Sequence, residues 1–422
     1  MAPSESTLVP GLTAPNARMR SRPFVVLYGS VLVATMGISM VSPLLPVYAE
    51  ELGATGIWIG LTFSVFAVTQ TITSPFVGGW SDRYGRKRFI IAGLLLYLVA
   101  ATGYLLATEL WHVIAFRALS GGGTSLIFSV ARAYLGELTP AGQEGRWAGV
   151  FTTADIIGFG LGPLLAGVVR QALGFDAVFV GMALLMGSSA AIVLAFLPPR
   201  PLGSEDGAEP RRAPTSPIRV ALRERMVVAL TLNWALISLS FGSTLAFLGV
   251  QLERLEVGAG LIGLVFALEA LASGMSQPFL GVLADRVDRR LLNAVGLLLL
   301  AALIASLGVT ERVAVIAAIM FGVGAAGGLA AVATNAMQVD VGRRVGMGTV
   351  IGLGSAGNGV GVLVGSLLGG WVVDLTGQNV AAFYVAGAVM ASGLLVFLWL
   401  ARGQASQPRA VWPAPVRAGD DG

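Results

Sequence analysis

The sequence predicts an all-α integral membrane protein: twelve transmembrane helices in two six-helix bundles related by internal duplication. Three observations carry this prediction. Hydrophobic residues make up 55% of the 422-residue chain and charged residues 12%, against roughly 25% charge in a typical soluble domain. Mean hydropathy is +0.80. Apolar runs long enough to cross ~30 Å of hydrocarbon recur from end to end. The chain also repeats itself at a fixed offset of 203 residues. That shift pairs Gly60 with Gly263, Pro75 with Pro278, Gly93 with Gly296, Gly158 with Gly361, Gly162 with Gly365, Gly167 with Gly370 and Gly174 with Gly377.

Taken in order, residues 1–22 are polar and lack the apolar stretch of a cleaved signal. The run 24–49 is too long for one and serves as first span and targeting signal together. Pro43 and Pro46 are expected to bend its outer end. Further spans fall near 57–80, 89–107, 110–136, 147–170 and 175–198. After a break come 226–250, 258–282, 291–309, 313–337, 347–373 and 379–401. The break is rich in Pro, Arg, Asp and Glu and reads as a solvated tether, with a short surface helix expected at 220–225. The organisation is thus a tail (1–22), an N-terminal bundle (23–198), a linker (199–225), a C-terminal bundle (226–402) and a second tail (403–422).

Of the 27 Lys and Arg residues, 23 fall on the side of the N-terminus, Arg132 and Arg146 among them. Three, Arg170, Arg254 and Arg312, fall on the other, and Arg117 lies inside a span. This asymmetry predicts cytoplasmic termini in a plasma (inner) membrane, and an even number of spans agrees. It also explains the net charge of +4, so no nucleic-acid partner is expected. The chain has no cysteine, which excludes disulfides and thiolate chemistry. His112 is the single histidine, which excludes a histidine-rich metal centre. No nucleophile–base constellation and no phosphate-binding loop is present, so an enzyme is not expected.

Two basic loops stand out. The first reads Gly78-Gly79-Trp80-Ser81-Asp82-Arg83-Tyr84-Gly85-Arg86-Lys87-Arg88 and the second Gly281-Val282-Leu283-Ala284-Asp285-Arg286-Val287-Asp288-Arg289-Arg290. Positive-inside topology accounts for the arginines. It does not account for Gly-x-x-x-Asp-Arg at matched positions in both halves. The glycine allows close helix approach. Glu137 and Asp340, again 203 apart, are candidate partners for Arg86 and Arg289, and such clusters are expected to latch the halves in one state.

With these loops the chain resembles the major facilitator superfamily over residues 23–402. The first loop matches that family's Gly-x-x-x-Asp-Arg-x-Gly-Arg-Lys-Arg motif in full; the second departs at Asp288, where a glycine would fall. Gly158, Gly162, Pro163 and Gly167 in span 5 are similar to the motif associated with proton-coupled drug antiporters, with Ala166 replacing a glycine. Arg117-Ala118-Leu119-Ser120-Gly121-Gly122-Gly123 in span 4 resembles a further family motif, with Ser120 replacing glutamine. The resemblance implies alternating access, a substrate path between the halves, a role for Arg117 in proton coupling, and multidrug efflux with antibiotic resistance. Uptake of a metabolite by symport or facilitation is the nearest alternative. A transporter-like membrane sensor or interaction protein is the alternative of another class.

Candidate residues follow. An intramembrane charge is costly, so it is a functional hypothesis by default. Arg117 has Met320 at its matched position, so the fold does not demand the arginine. A structural arginine near the outer surface remains the alternative. Arg117, Ser120 and Thr124 share a helix face expected to line the cavity. Asp155 and Glu269 fall near mid-span, and a carboxyl sequestered from water can bind and release a proton near neutral pH. Glu269 lies roughly 120° from the small-residue stripe of span 8, towards the cavity. Tyr28, Met36, Asn233, Trp234, Phe241, Met320, Asn335 and Asn358 are further lining candidates. The expected partners are a small-molecule substrate, protons and the lipid bilayer. The proton gradient supplies the energy, no cofactor is needed, and the protein is expected to be a monomer.

Overall fold

The computed structural model describes residues 21–140, 143–199 and 218–402, the side chains of 144, 145 and 285 excepted. The tails, most of the linker and the side chain of Asp285 named above lie outside the described residues. The first half contains α1 (Arg22–Val41), α2 (Leu45–Glu51), α3 (Gly56–Tyr84), α4 (Arg86–Leu105), α5 (Leu110–Leu138), α6 (Glu144–Leu173) and α7 (Phe175–Phe196). After the short α8 (Ile218–Ala221) come α9 (Arg225–Arg254), α10 (Ala259–Arg286), α11 (Arg289–Ser306), α12 (Val313–Val345), α13 (Met347–Thr376) and α14 (Val380–Leu400). Twelve spans result, the first formed by α1 and α2 together.

Pro43 and Pro46 separate α1 from α2, and Pro46 stands in the first turn of α2, where a missing N–H leaves no bond unmade. Several helices run further towards the termini than hydropathy predicts. The span expected to end at 337 reaches Val345, and the one expected to end at 80 reaches Tyr84. Their last turns carry charge (Asp340, Arg343 and Arg344; Asp82 and Arg83). The helix therefore continues past the hydrocarbon after the apolar signal has stopped. The surface helix expected at 220–225 is α8, and Arg225 instead begins α9.

The departure at Asp288 has a local explanation. Gly85 joins α3 to α4 with φ +98°, a conformation open to glycine. At the matched position Asp288 keeps an ordinary φ of −57°, and its side chain caps α11 by accepting from the Arg290 N–H at 2.8 Å. The two halves make the same turn by different chemistry.

Packing repeats with the duplication. In the first half α1 packs on α6 and α7, and α5 packs on α3 and α4; in the second α9 packs on α13 and α14, and α12 packs on α10 and α11. The halves meet along two crossings, α6 on α10 and α3 on α13. One core is made by the first half; the other, centred on α9 to α14, reaches across to Val47, Ala49, Ile59 and Phe63. Those four lie at the ends of α2 and α3 remote from the termini, so the bundles share a core on that side.

Candidate functional site

The seam between the bundles is built from glycine. Gly56 lies against the backbone of Gly370, Gly60 against Ser366, Gly167 against Ala259 and Gly263 against Pro163, each too close for a Cβ. Ser64 and Ser366 hydrogen-bond across the seam at 2.9 Å. Followed towards the termini, the named contacts continue to Gly274 against Ile156 and Gly359 against Thr71. Those two contacts are 203-residue mates, so the glycine contacts between the bundles end at the same depth on both crossings. Beyond that depth Trp80, Met275 and Phe279 are exposed. Gly78 and Gly281 have open space where a Cβ would stand. The molecule is closed on the side remote from the termini and open on the side that bears them.

Charged groups lock the closed side. Arg170 of α6 donates to both carboxylate oxygens of Glu253 of α9, at 2.6 and 2.7 Å, and stands 3.6 Å from Glu51. Its guanidinium also lies over the Phe175 ring at 4.2 Å. Arg254 reaches Glu50 at 2.8 Å. The Asp374 carboxylate of α13 accepts from the backbone N–H groups of Gly56 (2.7 Å) and Ile57 (2.9 Å), the first turn of α3. An anion at a helix N-terminus meets unpaired donors and the positive end of the dipole.

Asp155 lies one residue from Ile156, where the bundles part. Its Oδ1 accepts from the Thr35 hydroxyl of α1 at 3.2 Å, and its Oδ2 stands 4.0 Å from the Arg132 guanidinium of α5. Asp155 is 18% exposed and Arg132 70%. Arg132, counted by sequence only among the charges on the side of the N-terminus, lies within α5 and is the residue that sequence reasoning missed. A signal was available: Arg132 and Asp155 shift to Asn335 and Asn358, four polar residues at matched positions. Asn335 and Asn358 are both exposed.

Arg117 does not line the opening. It is 3% exposed, sealed among α3, α4 and α5, with its guanidinium 4.6 Å from the Phe66 ring and 5.0 Å from Phe63. Among the described residues its Nε has no hydrogen-bond partner. Ser120 and Thr124 share its face as expected, but that face turns into α4. Ser120 bonds Tyr104 at 3.0 Å, and Thr124 bonds Tyr97. The duplication makes a swap here. Phe66 and Arg117 of the first half match Glu269 and Met320 of the second. Gly121 abuts the Phe66 carbonyl as Gly324 abuts that of Glu269. One joint thus carries a cation in one half and an acid in the other. Glu269 is half-buried, and among the described residues no basic group lies within 4.0 Å of it.

Other candidates fall into three groups. Asn233 and Met320 are buried in the second bundle; Asn233 bonds Asn293 at 3.0 Å and also Thr334, so both residues serve the core rather than the opening. Tyr28 bonds Thr153 at 2.9 Å and ties α1 to α6. Met36 and Trp234 are half-buried, and Phe241 is 38% exposed. In the span-5 motif, Gly158 and Gly162 pack on α1, at Thr35 and Ser39, whereas Pro163 and Gly167 face α10.

On the open side, Arg86 pairs with Asp82 at 2.5 Å and Glu137 at 2.8 Å, and Arg289 pairs with Asp340. Lys87 donates to the Leu194 carbonyl at 2.8 Å, Arg83 lies 5.6 Å from the Tyr84 ring, and Arg286 is exposed. These pairs join helices of one bundle rather than the two halves, so in this state the latch between halves is the one on the closed side. An apolar groove of about 550 Å³ between α4 and α7, lined by Leu98, Ala101 and Phe179, faces away from the seam and has none of this chemistry.

Comparison with known proteins agrees with this architecture. The family model described as Major Facilitator Superfamily matches residues 27–254 and 235–418. The chain is 26% identical over 365 residues to multidrug resistance protein MdtG of Salmonella arizonae, covering 83% of this chain and 89% of that one. An uncharacterized MFS-type transporter of Methanocaldococcus jannaschii is 31% identical over 168 residues, 40% of this chain and 43% of that protein. Among solved structures, a bacterial homolog of the human lysosomal transporter Spinster, inward-facing and unoccupied, superposes with TM-score 0.72 at 16% identity, covering 90% of this chain and 96% of the other. The human organic anion transporter MFSD10 superposes with TM-score 0.60 at 18% identity, covering 89% and 99%.

Proposed function

The chain belongs to the major facilitator superfamily, a family of membrane transporters and not of enzymes, and from that premise we propose that it exports small amphipathic or drug-like compounds in exchange for protons. Transport proceeds by alternating access between the two bundles, with cytoplasmic termini in a bacterial plasma membrane and a monomer as the working unit. In this reading the opening faces the cytoplasm, where an export substrate enters.

The observation that carries the proposal is Asp155. An acid beside the point where the bundles part, held by one hydroxyl and one loosely engaged guanidinium, is placed to exchange partners as the bundles rock. Glu269, half-buried and with no basic group within 4.0 Å among the described residues, is the second candidate. Arg117, sealed among aromatic rings, acts on the first bundle from within. The multidrug resistance relatives support a drug-like substrate class. A potential of 100 mV contributes ~2.3 kcal/mol per charge moved, enough for tens-fold accumulation.

The test is substrate-induced proton movement in proteoliposomes, with wild type, Asp155→Asn and Glu269→Gln set against a panel of lipophilic compounds. Proton flux opposite to substrate, lost in one variant, supports antiport and identifies the carboxylate. Flux in the same direction replaces antiport with symport. Substrate movement without proton flux reduces the protein to a facilitator.

A further inference from the structure

We infer that Arg132 is a tethered counter-cation for Asp155: in the empty, open state it fills the place beside Oδ2 that the exported compound's positive group takes. The inference rests on the export reading and adds to it a positioning residue.

Four observations combine. First, the two Asp155 oxygens have separate partners, Thr35 on Oδ1 and Arg132 on Oδ2. Thr35 is a fixed donor, fully buried in α1. Arg132 is not fixed. Its 4.0 Å separation is beyond hydrogen-bond range, and 70% of its side chain is exposed. The contact is therefore Coulombic and replaceable, whereas a structural arginine would close a short, forked pair as Arg170 does on Glu253 at 2.6 and 2.7 Å.

Second, the fold does not require these charges. The same two positions of the second half carry the uncharged Asn335 and Asn358, on helices that still pack on each other. Third, the pair lies where the bundles separate. Asp155 neighbours Ile156, which packs on Gly274 of α10. A change of partner at Asp155 is made at the depth about which the halves must move. Fourth, among the described residues Arg132 is the one basic group within 4.0 Å of Asp155, with α1 contributing the Thr35 hydroxyl.

The consequence is competition for one carboxylate oxygen among three positive partners: a proton, the substrate's cationic group and Arg132. An arm that swings onto Oδ2 when the substrate leaves keeps Asp155 ionised and paired in the empty state. It also sets a threshold, because a ligand must displace the arm before it binds.

Two readouts test this on the full chain in lipid nanodiscs. Ethidium binding is followed by fluorescence anisotropy, and Asp155 labelling by dicyclohexylcarbodiimide is followed by mass spectrometry. Removing a weak competing ion pair, as in Arg132→Gln, is expected to tighten ethidium binding about 1.5- to 5-fold and to speed Asp155 labelling. Arg132→Lys, which keeps the positive arm, should behave like wild type and also shows that the site tolerates substitution. The gain should vanish in the Arg132→Gln/Asp155→Asn double variant. Unchanged or weaker ethidium binding in Arg132→Gln, with Asp155→Asn still abolishing it, overturns the counter-cation and leaves the export reading standing. Ethidium binding and proton flux both indifferent to Asp155→Asn overturn the inference together with the site on which it rests.

Discussion

Asp374 and Gln171 occupy the same position in the two halves, and each caps the first turn of a helix in the opposite half. Asp374 of α13 accepts from Gly56 and Ile57 of α3, and Gln171 of α6 accepts from the Gly260 N–H of α10 at 3.1 Å. Ile57 and Gly260 are themselves 203-residue mates. The closed side is therefore held by a pair of reciprocal helix caps, one charged and one neutral. Capping groups are usually local; here the cap and the helix belong to different bundles.

The charged cap should be the stronger. Replacing a capping side chain by alanine costs about 0.5–2 kcal/mol, and Asp374 is exposed, which favours the lower end. Asp374→Ala is expected to shift the population towards opening of this side by about two- to five-fold, and Gln171→Ala by less. The native chain has no cysteine, so spin labels at Trp58→Cys and Leu375→Cys report the distance across the seam without background. An unchanged distance distribution in both variants would remove the caps from the gating account.

Arg170 should matter more than either cap. It is 11% exposed, forked onto Glu253 and stacked on Phe175. Hydrogen bonds to charged groups contribute about 1.5–3 kcal/mol, and Glu253 is left unpaired when Arg170 is lost. Arg170→Ala is expected to open the closed seam at least tenfold in the same spin-label measurement. Arg254→Ala, which removes a half-exposed pair with Glu50, should have a several-fold smaller effect.

Gly263 meets backbone, not a side chain that could swing away. A Cβ there would strike the Pro163 carbonyl, and carbonyls of a packed helix have nowhere to go. Gly263→Val is expected to insert normally yet fail to close the side remote from the termini. Transport should fall by at least tenfold while surface expression is retained. Gly29→Ala, with open space at its Cβ, is the control and should transport at wild-type rate.

The buried amide cluster of the second bundle is structural. Asn233 bonds Asn293 and Thr334 with all three fully buried. Asn233→Leu leaves two buried polar groups short of partners, at about 1–3 kcal/mol. Thermal unfolding in detergent should shift down by several degrees, with substrate affinity of the surviving protein unchanged. A change in affinity without loss of stability would return Asn233 to the substrate path.

The sequence by itself determined the number of spans, the duplication and the charged turns, because these depend on composition and on residue order. Hydropathy found twelve spans, and the 203-residue shift aligned the helix contacts of one half with those of the other. It also matched Gly158 and Gly162 with Gly361 and Gly365, glycines that pack on α1 and α9 respectively. What only the tertiary structure decided is which way each face turns. In a membrane the lipid-facing and core-facing sides of a helix are both apolar, so periodicity does not separate them. Ser120 and Thr124 look like cavity residues on a helical wheel and turn into α4 in the molecule. Asn233 looks like a ligand contact and closes a buried cluster. Arg132 reads as a topology-setting charge near the end of a span and stands 4.0 Å from Asp155 on the next helix. Asp374 reads as the end of a span and caps a helix more than three hundred residues away in the chain. Each of these depends on a neighbour brought near by folding, and that proximity is a property of the packed bundles and not of any segment within them.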